Sequence, residues 1–340
     1  MIINKQLAIL GRMEIIVDKR VELLAVIQTM NNYWDNLALK YSDKELFKCK
    51  YKENIDNYFK KYKNHETVEL CNRLCNEVQD ISAFINLILC YSNPPILDNI
   101  ANIENNISWL IKQNIQYENF INKIRQFYND TDFEQFFDNN RDEYEKLINN
   151  CISKNDLNEY VNIIDIHLGS TTVNYTIAIS ALLLGCFGIK ILTNENVKYN
   201  YSVISPYDYK EGRYIFGSKI STIELLWHEI GHLTINDLTR SYINQFDISN
   251  KVIPNNFIKH FYTDIEAIVN EYIIRAITIR LLEINYGEKV TESLIQDHIQ
   301  KGFTEIEAIK GYISKNCEKG NKFTREEGYK ELMDYVINKI

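Results

Sequence analysis

Proline and glycine are scarce in this sequence, with 4 Pro and 12 Gly in 340 residues. Long disordered linkers are enriched in such residues, and no segment repeats at the period of about 20 to 50 residues that marks a solenoid. We therefore expect a compact, ordered chain that forms one large domain or two closely packed lobes.

The sequence also lacks an excess of basic residues: 38 Lys and Arg stand against 46 Asp and Glu, which gives a formal net charge of -8. Non-specific binding to nucleic acid depends on clustered Lys and Arg side chains that neutralise phosphates. We therefore predict no nucleic-acid partner.

No hydrophobic run is long enough to cross a bilayer, which takes about 20 apolar residues in a helix. The most apolar stretch, Thr176 to Ile189, is shorter and contains Gly185 and Gly188. We predict a buried core helix there and no membrane span. The first residues lack a basic start followed by an apolar core and a small-residue cleavage site, so no signal peptide is predicted.

The seven cysteines are odd in number and scattered among apolar neighbours. This usage indicates reduced thiols rather than a disulfide framework, and with no signal peptide it predicts a cytoplasmic location. Cys71 and Cys75 share a helix face, but no second pair at a zinc spacing accompanies them. Core packing is the preferred interpretation of this pair.

Apolar spacing predicts a strand at Met13 to Val17, followed by helices, one of which runs from Thr67 to Leu89. Between Tyr160 and Gly217, β-branched and aromatic runs separated by turn-formers predict a small sheet. The runs predicted as strands are YVNIIDIHL, IKIL, YNYSVISPY and RYIFG. After Ser221 the pattern is helical again.

The segment STIELLWHEIGHLTIN carries the clearest chemical signal. Ser221 and Glu224 match a capping box, which predicts a helix from about Thr222. His228 and His232 are four residues apart, so both imidazoles project from one face of that helix and can share a zinc ion.

Glu229 follows His228 and is placed to contact a water on the metal rather than to act as a ligand. Zinc lowers the pKa of bound water from about 15.7 to about 7, so a neighbouring carboxylate suffices as general base. The alternative is an amphipathic helix whose histidines are only hydrogen-bonded.

A catalytic zinc site needs a third protein ligand and one open position. The metzincin spacing is absent, because Ile235 and Leu238 stand where Gly and then His or Asp are required. A glutamate from a later helix is the other common solution, and TDIEAIVNEYIIRAITIRLLE offers Glu266 and Glu271.

Glu271 is the preferred third ligand. Thr263 and Glu266 match a second capping box, which gives Glu266 a role at the helix start. Glu271 lies two turns into the helix among isoleucines, where a buried carboxylate needs a partner. We predict that it binds the metal and that Arg275 orients it or faces a substrate carbonyl. The alternatives are a surface ion pair between Glu271 and Arg275, and Glu266 as the ligand.

The other histidines are isolated and are predicted to be surface or satisfied core residues: His65, His167, His260 and His298. Four tyrosines near the two helices in sequence are candidates for stabilising an oxyanion, with no basis for choosing among them. They are Tyr209, Tyr214, Tyr262 and Tyr272.

These residues make the chain resemble the gluzincins, zinc peptidases with two motif histidines and a distant glutamate. More closely, it resembles an uncharacterised bacterial family of HExxH proteins, known only as a domain of unknown function and regarded as candidate metallopeptidases. The stretches that carry this resemblance are MEIIVDKRVELLAVI, YFKKYKNHETVELCNRL, WHEIGHLTIN and NEYIIRAITIRLL. It implies His228, His232 and Glu271 as ligands and Glu229 as base. The NExxSD form of the glutamate helix is half present, because Arg275 stands in place of the Asp.

The sequence thus predicts an α+β, zincin-like fold that is mostly helical, with a small sheet and an HExxH active-site helix. Residues 1–155 are expected to form a helical region packed on the core, and residues 156–340 the metal-binding region. The predicted function is a zinc-dependent peptidase, whose peptide substrate adds a strand to SVISPY or RYIFG. A zinc amidase with a non-peptide substrate and a non-catalytic scaffold protein are the alternatives.

Overall fold

The computed structural model describes residues 2–4, 7–10, 13–42, 46–78, 82–152, 157–168, 175–255, 257, 264–317 and 326–340. The chain forms two compact units, and each is discontinuous in sequence. The first comprises Met1–Asp156 and Asn174–Gly217, and the second comprises Leu157–Val173 and Ser218–Ile340. Helices predominate and accompany a small sheet, so the α+β class is confirmed.

The first unit contains eight described strands and ten described helices. The strands are β1 Ile2–Asn4, β2 Leu7–Leu10, β3 Met13–Ile16, β4 Tyr175–Ile179, β5 Phe187–Leu192, β6 Lys198–Ile204, β7 Asp208–Lys210 and β8 Arg213–Ile215. The helices are α1 Lys19–Met30, α2 Tyr33–Ser42, α3 Lys50–Phe59, α4 Glu66–Glu77, α5 Ala83–Leu89, α6 Ile103–Asn106, α7 Ser108–Lys112, α8 Tyr117–Asp130, α9 Phe133–Asn139 and α10 Arg141–Ile152, with a 3₁₀ turn at Lys60–Tyr62.

The main sheet has six strands in the order β1-β2-β3-β4-β6-β5. β3, β4 and β6 run parallel to one another, and the other neighbours are antiparallel. Parallel pairing of β4 with β3 joins a late segment to the N-terminal strands. This pairing explains why the compact units do not follow a single cut near residue 155.

The stretch from Thr176 to Ile189 is not a helix, contrary to the sequence prediction. It contributes to β4 and β5, and Gly185 between them has a φ of 93°, in the region that favours glycine. β4 is a central strand, and nearly all its side chains are buried. Such strands form continuous apolar runs that resemble buried helices in sequence, which explains the error.

Two other secondary-structure predictions were also wrong. Tyr160 to Leu168 lies in a helix, and its buried residues Tyr160, Ile164 and Leu168 recur at a spacing of four while Ile166 is exposed. The single helix predicted from Thr67 to Leu89 is two helices, because Val78 has extended backbone after α4.

Neither predicted docking strand offers a simple free edge. β6, which contains SVI, is bordered by β4 and β5, so the expectation that it accepts an added strand was wrong. β8 pairs with β7 only among the described strands, but the backbone N–H of Tyr214 donates to Asn150 Oδ1 at 2.8 Å. Strand addition at β8 stays a prediction.

The second unit is helical over its described residues. Its helices are α11 Leu157–Leu168, α12 Lys219–Tyr242, α13 Ile265–Tyr286, α14 Glu292–Gln300, α15 Ile306–Asn316 and α16 Glu326–Lys339, with 3₁₀ turns at Ile243–Gln245 and Glu288–Val290. α12 packs against both α11 and α13, and Trp227 Nε1 donates to the Tyr160 carbonyl at 2.7 Å. No described helix is long and apolar enough to span a membrane.

All seven cysteines are free thiols, and Cys186 is the only one that is not buried. Cys71 and Cys75 lie with their Sγ atoms 3.8 Å apart inside the first unit. Among the described residues, no third ligand group joins them in a metal cluster, which agrees with core packing.

Candidate metal centre

Helix α12 carries the HEIGH segment and begins at Lys219, earlier than predicted. Its N-cap is Ser218, whose side chain accepts a hydrogen bond from the Ser221 N–H. Ser221 is therefore inside the first turn, and Glu224 does not close a capping box with it. The Glu224 carboxylate lies instead 3.9 Å from Nε2 of His298.

The two motif histidines face each other on α12, as their spacing predicted. Their Nε2 atoms are 3.1 Å apart, and their rings meet edge to face with centroids 4.7 Å apart. Glu229 is buried on the same helix and is not part of the cluster of candidate ligand atoms. Its negative charge contributes to the raised pKa of His232.

Helix α13 supplies the carboxylate that faces the imidazoles. Its N-cap is Asp264, whose side chain accepts from the Ala267 N–H at 2.7 Å, so the predicted capping box of Thr263 and Glu266 was wrong. Thr263 itself lies outside the described residues. Glu266 pairs with Arg240 at 3.5 Å and is absent from the cluster, whereas Glu271 belongs to it.

His228, His232 and Glu271 form a possible metal site, with one ligand atom from each lying within 4.8 Å of the others. The Glu271 oxygens are 3.6 Å from His228 Nε2 and 3.2 Å from His232 Nε2. A tetrahedral ion with bonds of about 2.0 to 2.1 Å separates its ligand atoms by roughly 3.3 to 3.4 Å. Two imidazole nitrogens and a carboxylate are a donor set that suits zinc, and the separations of the nitrogens from the two carboxylate oxygens lie on either side of this value.

The charges within this cluster are strongly coupled. Burial alone raises the pKa of Glu271, but Arg275 and the two imidazoles outweigh it and hold the pKa well below its usual range. Burial lowers the pKa of His232, yet the Glu271 carboxylate reverses this and raises the pKa to about 9. A cation is therefore favoured beside Glu271, either a proton on His232 or a metal ion in its place.

Arg275 is buried beside Glu271 and does not form the surface ion pair that was the alternative. Its Nη2 atom is 2.7 Å from Glu271 Oε2, and the two side chains expose only 12% and 8% of their surface. This position suits the predicted role of orienting the carboxylate. Contact with a substrate carbonyl stays a prediction.

Glycine at position 231 allows α12 and α13 to approach closely. A Cβ added at Gly231 would lie 3.0 Å from Cγ2 of Ile274, closer than most real Cβ contacts, so the Ile274 side chain would have to shift by a few tenths of an ångström. Gly231 lies between the two histidines, and Ile274 lies between Glu271 and Arg275. The missing side chain therefore helps bring the three candidate ligands together.

Asn236 lies beside the site and was not predicted from the sequence. Asn236 Oδ1 accepts from Nδ1 of His232 at 3.1 Å, an outer contact that orients a ligand imidazole. Asn236 is four residues after His232, so the helical spacing could have identified it. Nδ1 of His228 is buried and has no hydrogen-bond partner in the described part of the chain.

His298 was predicted to be isolated, but its Nδ1 lies 3.2 Å from Nη1 of Arg275. It lies on a different helix, α14, so no local pattern could place it there. His65 and His167 are satisfied away from the cluster, by Asp130 and by the Ile163 carbonyl respectively. His260 lies outside the described residues.

The described tyrosine candidates each have contacts of their own. Tyr209 and Tyr214 pack on each other in the β7–β8 hairpin, and Tyr214 donates to Glu143. The Tyr272 hydroxyl donates to the Gly302 carbonyl at 3.4 Å. Tyr262 lies outside the described residues.

Comparison with known families identifies a domain family that covers most of the chain. A family model described as Domain of unknown function (DUF4932) matches residues 13–335. The chain belongs to this family. The match covers helices α12 and α13, so the three candidate ligands lie within the family domain.

No curated protein matches this DUF4932 chain. No solved structure matches it either.

Proposed function

We propose that this DUF4932 chain is a zinc-dependent hydrolase that cleaves amide bonds, with peptides as its substrates. The observation that carries the proposal is the convergence of two imidazoles and a buried carboxylate at separations that suit tetrahedral zinc. Two histidines from α12 and one glutamate from α13 also reproduce the ligand order of the gluzincins that the chain resembles.

Three protein ligands leave one position of a tetrahedral ion for water or substrate, which is the pattern of a catalytic zinc site. His228, His232 and Glu271 would hold a zinc ion, which would supply a Lewis acid and lower the pKa of bound water. Asn236 orients His232 through Nδ1, and Arg275 orients Glu271 through the ion pair.

Glu229 is the proposed general base. It is buried next to His228 in sequence, acts electrostatically on His232 and is not among the clustered ligand atoms. Its carboxylate is therefore available to take a proton from the attacking water and to return it to the leaving amine. His232 exposes 17% of its side chain, more than His228 or Glu271, so substrate approaches from its side.

Three isosteric variants separate the proposed roles. Glu229→Gln should retain zinc and lose hydrolysis of a peptide library, because it keeps the ligands and removes the base. Glu271→Gln should lose zinc. Glu266→Gln is the matched control on the same helix as Glu271, and it should retain both zinc and hydrolysis because Glu266 lies outside the cluster.

Each contrary outcome identifies a different error. Hydrolysis by Glu229→Gln at the wild-type rate would contradict the base assignment. Zinc loss in Glu266→Gln but not in Glu271→Gln would contradict the third ligand. A zinc-loaded wild type that cleaves no peptide but releases amine from small amides would indicate the amidase alternative, and one inactive on both would indicate a scaffold protein.

A further inference from the structure

Arg275 is contacted by three side chains inside the second unit. Its guanidinium forms the ion pair with Glu271 at 2.7 Å, lies 3.2 Å from Nδ1 of His298 and faces the Phe303 ring at 4.5 Å from the centroid. Arginine has only donors, so Nδ1 of His298 must accept and the ring proton must lie on Nε2. The tautomer of His298 is therefore set by Arg275.

His298 suits this role because it is buried and neutral. Burial, reinforced by the positive charge of Arg275, lowers the pKa of His298 to about 3. At neutral pH the imidazole therefore accepts from the guanidinium without repelling it.

The turn after α14 places the Phe303 ring against the guanidinium of Arg275. Gly302 has a φ of 104°, in the left-handed region that favours glycine, and Phe303 follows it. The Phe303 ring packs edge to face on both Tyr272 and Phe257, with centroids 5.0 Å apart in each case. Phe257 and Tyr272 therefore fix the Phe303 ring independently of Arg275, and the guanidinium stacks on a rigid surface.

We infer that His298 and Phe303 are positioning residues that hold Arg275 in the orientation that aims Glu271 at the two imidazoles. Arginine has a long, flexible side chain, so one ion pair alone does not fix its direction or that of its carboxylate partner. The inference rests on the proposed metal site, because its consequence is the affinity of that site for zinc.

The test is the zinc dissociation constant of the full chain, measured by competition with a chromophoric chelator. His298→Leu removes the acceptor and should weaken zinc binding by about tenfold or more, as loss of an outer contact does in other metal sites. His298→Asn can place its amide oxygen near the position of Nδ1 and should restore most of the affinity. Phe303→Leu should weaken binding by a smaller factor, because the hydrogen bond to His298 remains.

Lys310→Met is the matched control for general damage to helix α13. Lys310 pairs with the buried Glu283 on that helix, away from the ligand cluster. This variant should lower the melting temperature and leave the zinc affinity unchanged. The visible spectrum of the Co²⁺-loaded protein should change in His298→Leu and match the wild type in Lys310→Met, since it reports ligand geometry.

The outcomes separate this inference from the proposed function. A wild type that binds no zinc would contradict the proposed function. If the wild type binds zinc, three results would overturn the positioning role alone. His298→Leu could bind zinc as tightly as the wild type, or His298→Asn could lose as much zinc affinity as His298→Leu. Lys310→Met could also lose as much zinc affinity as His298→Leu. If His298→Leu fails to fold, His298→Asn against His298→Ser provides the same comparison of acceptor positions.

Discussion

Each unit of the molecule contains a buried pair of one carboxylate and one arginine, and the two pairs differ in what surrounds them. In the first unit, Arg20 donates to Asp18, to the carbonyls of Leu89 and Tyr91, and to the Tyr201 hydroxyl. All five N–H groups of its guanidinium are directed at acceptors. This pair is a closed structural element that joins the start of α1 to other parts of its unit.

In the second unit, Glu271 faces Arg275 on one side and two imidazoles on the other. The imidazole Nε2 atoms are 3.1 Å apart, so three electron-rich atoms converge on one point. Burial and an arginine partner are therefore common to both carboxylates. Only Glu271 also has two imidazole nitrogens beside it, and this is what makes it a candidate metal ligand.

Arg20→Met tests the closed pair and should have the largest effect on stability. Removal of one partner leaves Asp18 buried and uncompensated, which costs about 3 to 5 kcal/mol. The free energy of unfolding, measured with urea, should fall by that amount both with and without zinc. A loss that zinc restores would show that the two pairs are not independent.

Glu22→Gln tests a second buried carboxylate beside the closed pair. Burial raises the pKa of Glu22 to about 7 from its ordinary 4.5, against the opposing hydrogen bonds from Ser180 and Tyr51. Between these pH values the folded protein keeps a proton that the unfolded chain has released. The unfolding free energy of the wild type therefore falls as pH rises from about 4.5 to 7, by up to about 3 kcal/mol.

The glutamine variant has no such titration, so it should equal the wild type near pH 4.5 and be more stable at pH 8. The measurement is urea unfolding of both proteins across this range. A difference between them that does not change with pH would refute the explanation.

Arg275→Met tests the pair of Glu271 and Arg275 in the second unit. In metal-free protein the loss should be smaller than for Arg20→Met, about 2 kcal/mol, because a protonated His232 still pairs with Glu271. Zinc at a hundred times its dissociation constant for the variant should restore about 2.7 kcal/mol. Thermal or urea unfolding with and without zinc measures this, and the absence of any zinc effect in the variant and the wild type would contradict the metal site.

Gly231→Ala should have the smallest effect. The new methyl group meets the Ile274 side chain at 3.0 Å, and adjustment of that side chain costs about 1 kcal/mol. Zinc affinity should also fall because the two helices separate slightly. Gly311→Ala on α15 is the control, since nothing lies within 4 Å of its added Cβ, and it should stabilise the protein by about 0.5 to 1 kcal/mol. Equal changes in stability and zinc affinity from the two substitutions would contradict the role of Gly231 in the close approach of α12 and α13.

The sequence predicted the candidate site better than the fold. The i, i+4 spacing of His228 and His232 needs only helical geometry, and the burial argument for Glu271 needs only the cost of an unpaired carboxylate. Each is a local property of a single helix, α12 for the histidines and α13 for Glu271. His298 could not be found this way, because its contact with Arg275 depends on how α14 packs against α13.

The errors in the fold arose where the apolar pattern is ambiguous. Thr176 to Ile189 reads as a buried helix because a central strand has no polar face, and its parallel partners are distant in sequence. Tyr160 to Leu168 has many β-branched residues, yet its burial follows the helical period. Strand pairing over such distances is set by tertiary contacts that no local window contains.

The most direct test of the central claim is the metal content of the purified chain, measured by elemental analysis together with zinc titration. The wild type should bind one zinc ion per chain, and a His228→Ala and His232→Ala double variant that still folds should bind none. Wild-type protein that binds no zinc, or a double variant that binds it equally well, would contradict the account.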